Sequence, residues 1–174
     1  MRKHLLLIGL RASGKSTLGA ALATRLGVDF IDLDNLTARE LGFARTGDAF
    51  REAGEEAFRA AELRALHGAV DADARVIALG GGTPTAPGAA AMIDALRQSG
   101  RAAVVFLDPP LATLTARLAA DTGDRPSLTG AGVVDEVEEV ARRRRPLYAA
   151  LADFAFAEAV DVETVLGVVT DAVG

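Results

Sequence analysis

The sequence predicts an α/β protein of three layers, a parallel sheet between two sheaths of helices. Two observations carry this. Short apolar runs alternate with longer segments rich in Ala, Leu, Glu and Arg, and such alternation folds as parallel strands joined by right-handed helical crossovers. Several runs, such as residues 5–8 and 76–79, are apolar throughout, as strands covered on both faces are.

In order, the expected strands are residues 5–8, 30–33, 76–79, 103–107 and 154–157, and the expected helices are 17–26, 55–69, 89–99, 111–120, 134–151 and 162–173. Gly27 is placed to stop the first helix. Thr46 with Asp48 can begin a short helix that Gly54 ends. Pro87 suits the first turn of the helix at 89–99. Pro146 lies inside the segment 134–151, where a break or kink is expected. Residues 80–85 and 121–132 lack periodicity and read as irregular.

With 174 residues, half of them apolar and a quarter charged, the chain suits one domain with a sizeable core. It has no cysteine, which excludes disulfides, thiolate metal sites and a cysteine nucleophile. His4 and His67 are its histidines, too few for a histidine-built zinc site. The net charge of −5 argues against a basic nucleic-acid surface. Lys3 and Lys15 are the lysines and every other basic residue is arginine, a bias that abundant alanine traces to base composition. The opening apolar run is short and leads to Arg11 and Lys15, not to a small-residue cleavage site, so a cytoplasmic location without membrane contact is expected.

Gly9-Leu10-Arg11-Ala12-Ser13-Gly14-Lys15-Ser16 satisfies G-x-x-x-x-G-K-[ST] between an expected strand and an expected helix. Its glycines let backbone N–H groups turn inward onto phosphate oxygens, and the helix start adds its positive dipole end. Lys15 supplies a charge for the outer phosphates and Ser16 a hydroxyl for Mg²⁺. The motif implies a nucleoside triphosphate with magnesium, without distinguishing a kinase from a GTPase or a motor.

Asp32 and Asp34 end the second expected strand, at the edge where open α/β sheets bind ligands. Two apart on a strand, they are expected to face one site, one toward a magnesium-bound water and the other toward an acceptor hydroxyl. A solvated loop, or a helix cap made by Asp34 or Asn35, is the plainer reading. Arg59 and Glu62 are three apart on a helix and can pair. The run Arg142–Arg145 must spread around a helix, so one or two of its members are expected to face inward. Gly80, Gly81 and Gly82 clear a strand end of side chains, which permits close backbone approach to a ligand. Arg125 stands in the irregular segment, where a mobile arginine can close on a transferring phosphate.

In this order, the phosphate loop, the Asp-x-Asp pair, Glu-x-x-Phe-Arg-x-x-Glu, Leu-Gly-Gly-Gly, Arg-Pro and Arg-x-Pro-Leu-Tyr resemble the shikimate kinases, from Leu5 to about Tyr148. The resemblance implies a P-loop NTPase fold with a five-stranded parallel sheet, in one domain with acceptor-binding helices about 35–70 and a mobile lid about 121–133. It implies transfer of the ATP γ-phosphate to the 3-hydroxyl of shikimate, on the route to chorismate and the aromatic amino acids, by a monomer. ATP would meet Gly9, Arg11, Ala12, Ser13, Gly14, Lys15, Ser16, Thr17, Arg117 and Arg125. Shikimate would meet Asp34, Phe50, Phe58, Arg59, Gly80, Gly81, Gly82 and Arg144. Catalysis would rest on Lys15, Asp34 and Arg125, and Mg²⁺ on Ser16 and Asp32.

Two departures stand out. Ala12 takes a position where many members have glycine, tolerable only if its φ is negative, and Arg11 puts a charge inside the loop. The alternatives are another small-metabolite kinase, such as a gluconate kinase, or a non-catalytic nucleotide-binding paralogue. A gluconate kinase would not need two arginines converging on one carboxylate.

Overall fold

The computed structural model describes residues 4–71, 75–120, 133–158 and 160–173. Five strands form one parallel sheet: β1 (His4–Gly9), β2 (Asp29–Asp32), β3 (Arg75–Ala78), β4 (Ala102–Leu107) and β5 (Phe154–Phe156), in the order β2-β3-β1-β4-β5. The helices are α1 (Lys15–Leu26), α2 (Leu33–Glu40), α3 (Thr46–Ala53), α4 (Glu55–Val70), α5 (Ala89–Gln98), α6 (Leu111–Ala120), α7 (Val133–Leu151) and α8 (Val162–Val173).

The central strand explains why its sequence is apolar throughout. Every residue of β1 is buried, and the pleat sorts them between two cores. Leu6 and Ile8 join Ile77, Val104 and Phe106 against Leu66 of α4, Ile93 of α5 and Tyr148 of α7. Leu5 and Leu7 join Val76 and Val105 against Leu18 and Leu22 of α1 and Val165 and Val169 of α8. Each fully buried aliphatic side chain contributes about 1.5–3 kcal/mol, so both layers are held firmly to the sheet.

The connections from β1 and β4 leave toward opposite edges of the sheet. A crevice therefore opens beyond the carboxyl end of β1, the place where ligands bind in such sheets. Gly9 stands at that end.

The structure departs from the sequence reading in four places. β2 ends at Asp32, one residue early, and an unexpected helix, α2, begins at Leu33. Asp32 enables this: its Oδ1 accepts from the Asn35 N–H at 3.1 Å and so caps the new helix. Pro87 precedes α5, whose N-cap is Gly88 at φ 85°. Residues 83–85 form a 3₁₀ turn within the segment read as irregular. Finally, α7 runs unbroken through Pro146. Tertiary packing offsets the lost hydrogen bond, because Tyr148 and Leu151 are buried in the core on the following turn. Gly27, by contrast, ends α1 as expected, with φ 65° and its N–H turned back on Ala23 and Thr24.

Candidate active site

The phosphate loop occupies the crevice. Gly9 leaves β1 at φ 153°, and a Cβ there would stand 2.5 Å from the Leu107 carbonyl oxygen, so only glycine fits. Gly14, at φ 97°, is the N-cap of α1, whose first residue is Lys15. The Lys15 side chain is buried and donates to the carbonyls of Gly9 (3.0 Å) and Leu10 (2.7 Å) and to Ser13 Oγ (3.2 Å). Ser16 Oγ donates to Asp32 Oδ2 at 2.6 Å.

Ala12 overturns one expectation. Its φ is +60°, in the left-handed region where a Cβ costs about 1–2 kcal/mol. Its carbonyl accepts from Arg117 Nη1 at 3.0 Å, which helps hold the loop in that shape. Arg117 therefore lies against the loop itself.

The loop, Asp32 and Arg117 line a cavity of about 720 Å³. Glu158, Val160 and Asp161, between β5 and α8, also line it. None of the three belongs to a motif recognisable in the sequence. The one available signal was that this connection follows a strand's carboxyl end, as ligand-binding loops do.

Asp32 caps α2 through Oδ1 and holds the Ser16 hydroxyl through Oδ2, so the cap expected of Asp34 or Asn35 is made by Asp32 instead. Asp34 is not on a strand at all. It lies in the first turn of α2 and reaches the same cavity around a strand–helix corner, so the alternation argument for it fails.

A second cavity of about 70 Å³ adjoins the first and gathers residues from dispersed elements: Asp34, Phe50, Phe58, Arg59, Gly82 and Arg144. Arg59 is fixed from below, its Nη1 donating to Glu62 Oε2 at 2.5 Å. Glu62 is fully buried and also accepts from the Thr83 hydroxyl at 2.6 Å. Burial pushes the Glu62 carboxyl up from its ordinary range, while the Arg59 guanidinium and the Thr83 hydroxyl pull it back. Above, the Arg59 guanidinium lies 5.7 and 6.0 Å from the ring centres of Phe50 and Phe58, which pack edge to face.

The glycines are explained by crowding. A Cβ on Gly82 would stand 2.5 Å from the Arg59 guanidinium, and one on Gly80 would collide with the Asp34 carboxylate. The Gly81 carbonyl accepts from Tyr148 Oη at 2.6 Å and Arg144 Nη1 at 2.8 Å. Burial pushes the Tyr148 phenol up to about 12, so it stays a neutral donor. Its place was detectable in the sequence, four residues from Arg144 on one helix face. Thr46 and Gly47, which also line this cavity, gave no such signal.

The arginine run spreads as one helical turn must. Arg142 and Arg143 are 75% exposed and both pair with Glu139. Arg144 faces the second cavity. Arg145 turns elsewhere, with Nε 2.7 Å from Asp108 Oδ1 and Nη2 donating to the Pro109 carbonyl at 3.0 Å. The expected lid arginine, Arg125, and most of the expected lid lie outside the described residues.

Comparison with known proteins places this geometry. The family model described as shikimate kinase matches residues 11–172. A shikimate kinase of Nitratidesulfovibrio vulgaris is 46% identical over 145 residues, covering 82% of this chain and 79% of the relative. A shikimate kinase 2 of Syntrophotalea carbinolica is 37% identical over 168 residues, 95% of this chain and 94% of that one. The solved shikimate kinase of Acinetobacter baumannii, in complex with shikimate, superimposes with a TM-score of 0.87 at 26% identity, covering 98% of this chain and 94% of the other.

Proposed function

The chain belongs to the shikimate kinase family, and from that premise we propose how its residues divide the work. It is an ATP-dependent phosphotransferase that phosphorylates shikimate to shikimate 3-phosphate, in aromatic amino acid biosynthesis. The larger cavity takes ATP and the smaller takes shikimate. One observation carries this assignment: Arg59 and Arg144, 85 positions apart in the chain, line a single small cavity together with Asp34.

Two guanidiniums suit the carboxylate of shikimate, and a carboxylate suits its hydroxyls. Asp34 accepts the proton of the 3-hydroxyl as that oxygen attacks the γ-phosphorus, and the bond to the β-phosphate oxygen breaks to release ADP. Lys15 turns from the loop carbonyls to the β- and γ-phosphates as they enter. Phe50 and Phe58 wall the acceptor ring and keep water from the reacting phosphate. Arg125 closes from the lid. Arg117, with Glu158, Val160 and Asp161, borders the part of the donor cavity beyond the phosphates.

Ser16 and Asp32 present two oxygens 2.6 Å apart beside the loop, a donor set that suits a hard cation. They would hold Mg²⁺, directly or through water, and the chemistry it would supply there is neutralisation of phosphate charge. Among the described residues no three acidic or histidine side chains cluster as metal ligands. Phosphate oxygens and water would complete the shell.

One chain supplies both cavities, which supports a working monomer organised as a single kinase domain, with α2–α4 as its acceptor-binding part. Among the described residues no helix is long and apolar enough to cross a membrane. Use of ATP supports a cytoplasmic site of action.

A coupled ADP-release assay with shikimate, with gluconate and without acceptor tests the reading. Shikimate-dependent release is expected. Preference for gluconate, or equal release without acceptor, would overturn it.

A further inference from the structure

The two cavities share three lining residues, Arg11, Asp34 and Gly81. These mark the seam that a phosphoryl group must cross on its way from donor to acceptor. Of these two cavities, Lys15 and Arg117 line the larger alone and Arg59 and Arg144 the smaller alone; Arg11 and Arg144 also border a third, of about 40 Å³, against Val137 and Val140 of α7. Among the described residues, Arg11 is the one cation that borders both the larger and the smaller. We infer that Arg11 is a catalytic residue that steadies the phosphoryl group in flight and then binds the phosphate of the product. The inference rests on the assignment of the two cavities made above.

Arg11 is held in place from both sides of the seam. Its backbone nitrogen and Cγ lie 3.0 and 3.2 Å from where a Cβ on Gly81 would stand, so its stem runs along the Gly81 backbone. That backbone is itself fastened from the acceptor side, by Tyr148 and Arg144. On the donor side the next residue, Ala12, takes its left-handed conformation and is tied through its carbonyl to Arg117. A side chain serving the nucleotide alone would not need to open onto the acceptor cavity.

The chemistry at the seam gives such a cation a task. While the acceptor oxygen bonds to phosphorus and the bridging oxygen leaves with its electron pair on ADP, negative charge spreads over the three non-bridging oxygens. The Arg11 guanidinium forms and breaks no covalent bond. It donates N–H groups to those oxygens and keeps its charge throughout. After transfer the same oxygens belong to a phosphate monoester, which carries up to about two negative charges that shikimate lacks. Arg11 therefore discriminates product and transition state from substrate, which Arg59 and Arg144, directed at a carboxylate present in both, do not.

The experiment compares wild type with R11A, R11K and R11Q. It measures kcat, both KM values, thermal unfolding, and the calorimetric Kd of shikimate and of shikimate 3-phosphate. In R11A, kcat should fall about a hundredfold. The product Kd should weaken about tenfold or more while the shikimate Kd stays within about twofold. R11K, which keeps the charge without the fork, should recover part of the product affinity. If R11A does not fold, the same product-to-substrate ratio is read from R11Q. Equal weakening of shikimate and product, a loss confined to the ATP KM, or unchanged constants would overturn the inference. Wild type that releases no ADP with shikimate would remove the underlying assignment; normal wild-type turnover with an unchanged affinity ratio in the variants would remove this inference alone.

Discussion

The larger cavity, proposed for the phosphate donor, takes much of its lining from one consecutive stretch, Arg11 to Leu18. The smaller cavity, proposed for the acceptor, instead draws Asp34 from α2, Phe50 from α3, Arg59 from α4, Gly82 from the turn after β3 and Arg144 from α7. The first is a backbone device, whose geometry is set by a strand end, two glycines and a helix start. The second is a side-chain device, whose geometry exists only after four helices have packed. Each is therefore vulnerable in a different place. The larger cavity should respond most to loss of its single buried lysine, whereas the smaller should lose specificity residue by residue.

The largest effect expected is at Lys15. Lys15→Ala should lower kcat by several orders of magnitude with the thermal unfolding midpoint nearly unchanged, because the charge acts on the transferring phosphate. Near-normal turnover in a folded variant would overturn the role proposed for the phosphate loop. Next is Asp34, which borders both cavities. Asp34→Asn keeps the shape and removes the proton acceptor, so the loss should fall on kcat with ATP affinity retained. If ATP binding collapses while saturated turnover survives, Asp34 belongs to the metal site.

The acceptor arginines sharpen the contrast further. Arg59→Ala and Arg144→Ala should each raise the shikimate KM by about 2–4 kcal/mol equivalent, with the ATP KM as the unchanged control. Arg142→Ala and Arg143→Ala, at exposed positions, should cost less than about 0.5 kcal/mol. Uniformly small effects would show that no arginine of the run enters the site. The smallest effect concerns backbone shape. Ala12→Gly relieves a left-handed alanine, so it should raise stability by about 0.5–1 kcal/mol after the entropic cost of glycine, read by denaturant unfolding. A destabilised Ala12→Gly variant would mean that the loop does not carry this strain.

Both arginine assignments could be made without coordinates, but for different reasons. Arg59 was recognisable beside Glu62 by helical spacing, although its burial under Phe50 and Phe58 was not. Arg144 was separable from its neighbours only through its offset from Pro146, because four consecutive arginines look alike until a helix turns each toward a different partner. Asp34 lines both cavities, but from the first turn of α2 and not from a strand. Nothing in residues 30–34 announced that capping by Asp32 would end the strand one residue early.

The alternation of strands and helices, the phosphate-loop motif and the identity of the charged groups available for chemistry are all legible in the chain before it folds. These depend on periodicity and on interactions between residues close along the chain, which are readable one segment at a time. The left-handed turn at Ala12, the passage of α7 through Pro146, the shared cavity of Arg59 and Arg144 and the seam of Arg11, Asp34 and Gly81 arise instead from packing between distant segments. Each of these is a local preference overruled, or a distant pair joined, by packing. The burial of side chains such as Tyr148 and Leu6 provides that packing, and burial is a property of the whole fold that no single segment carries.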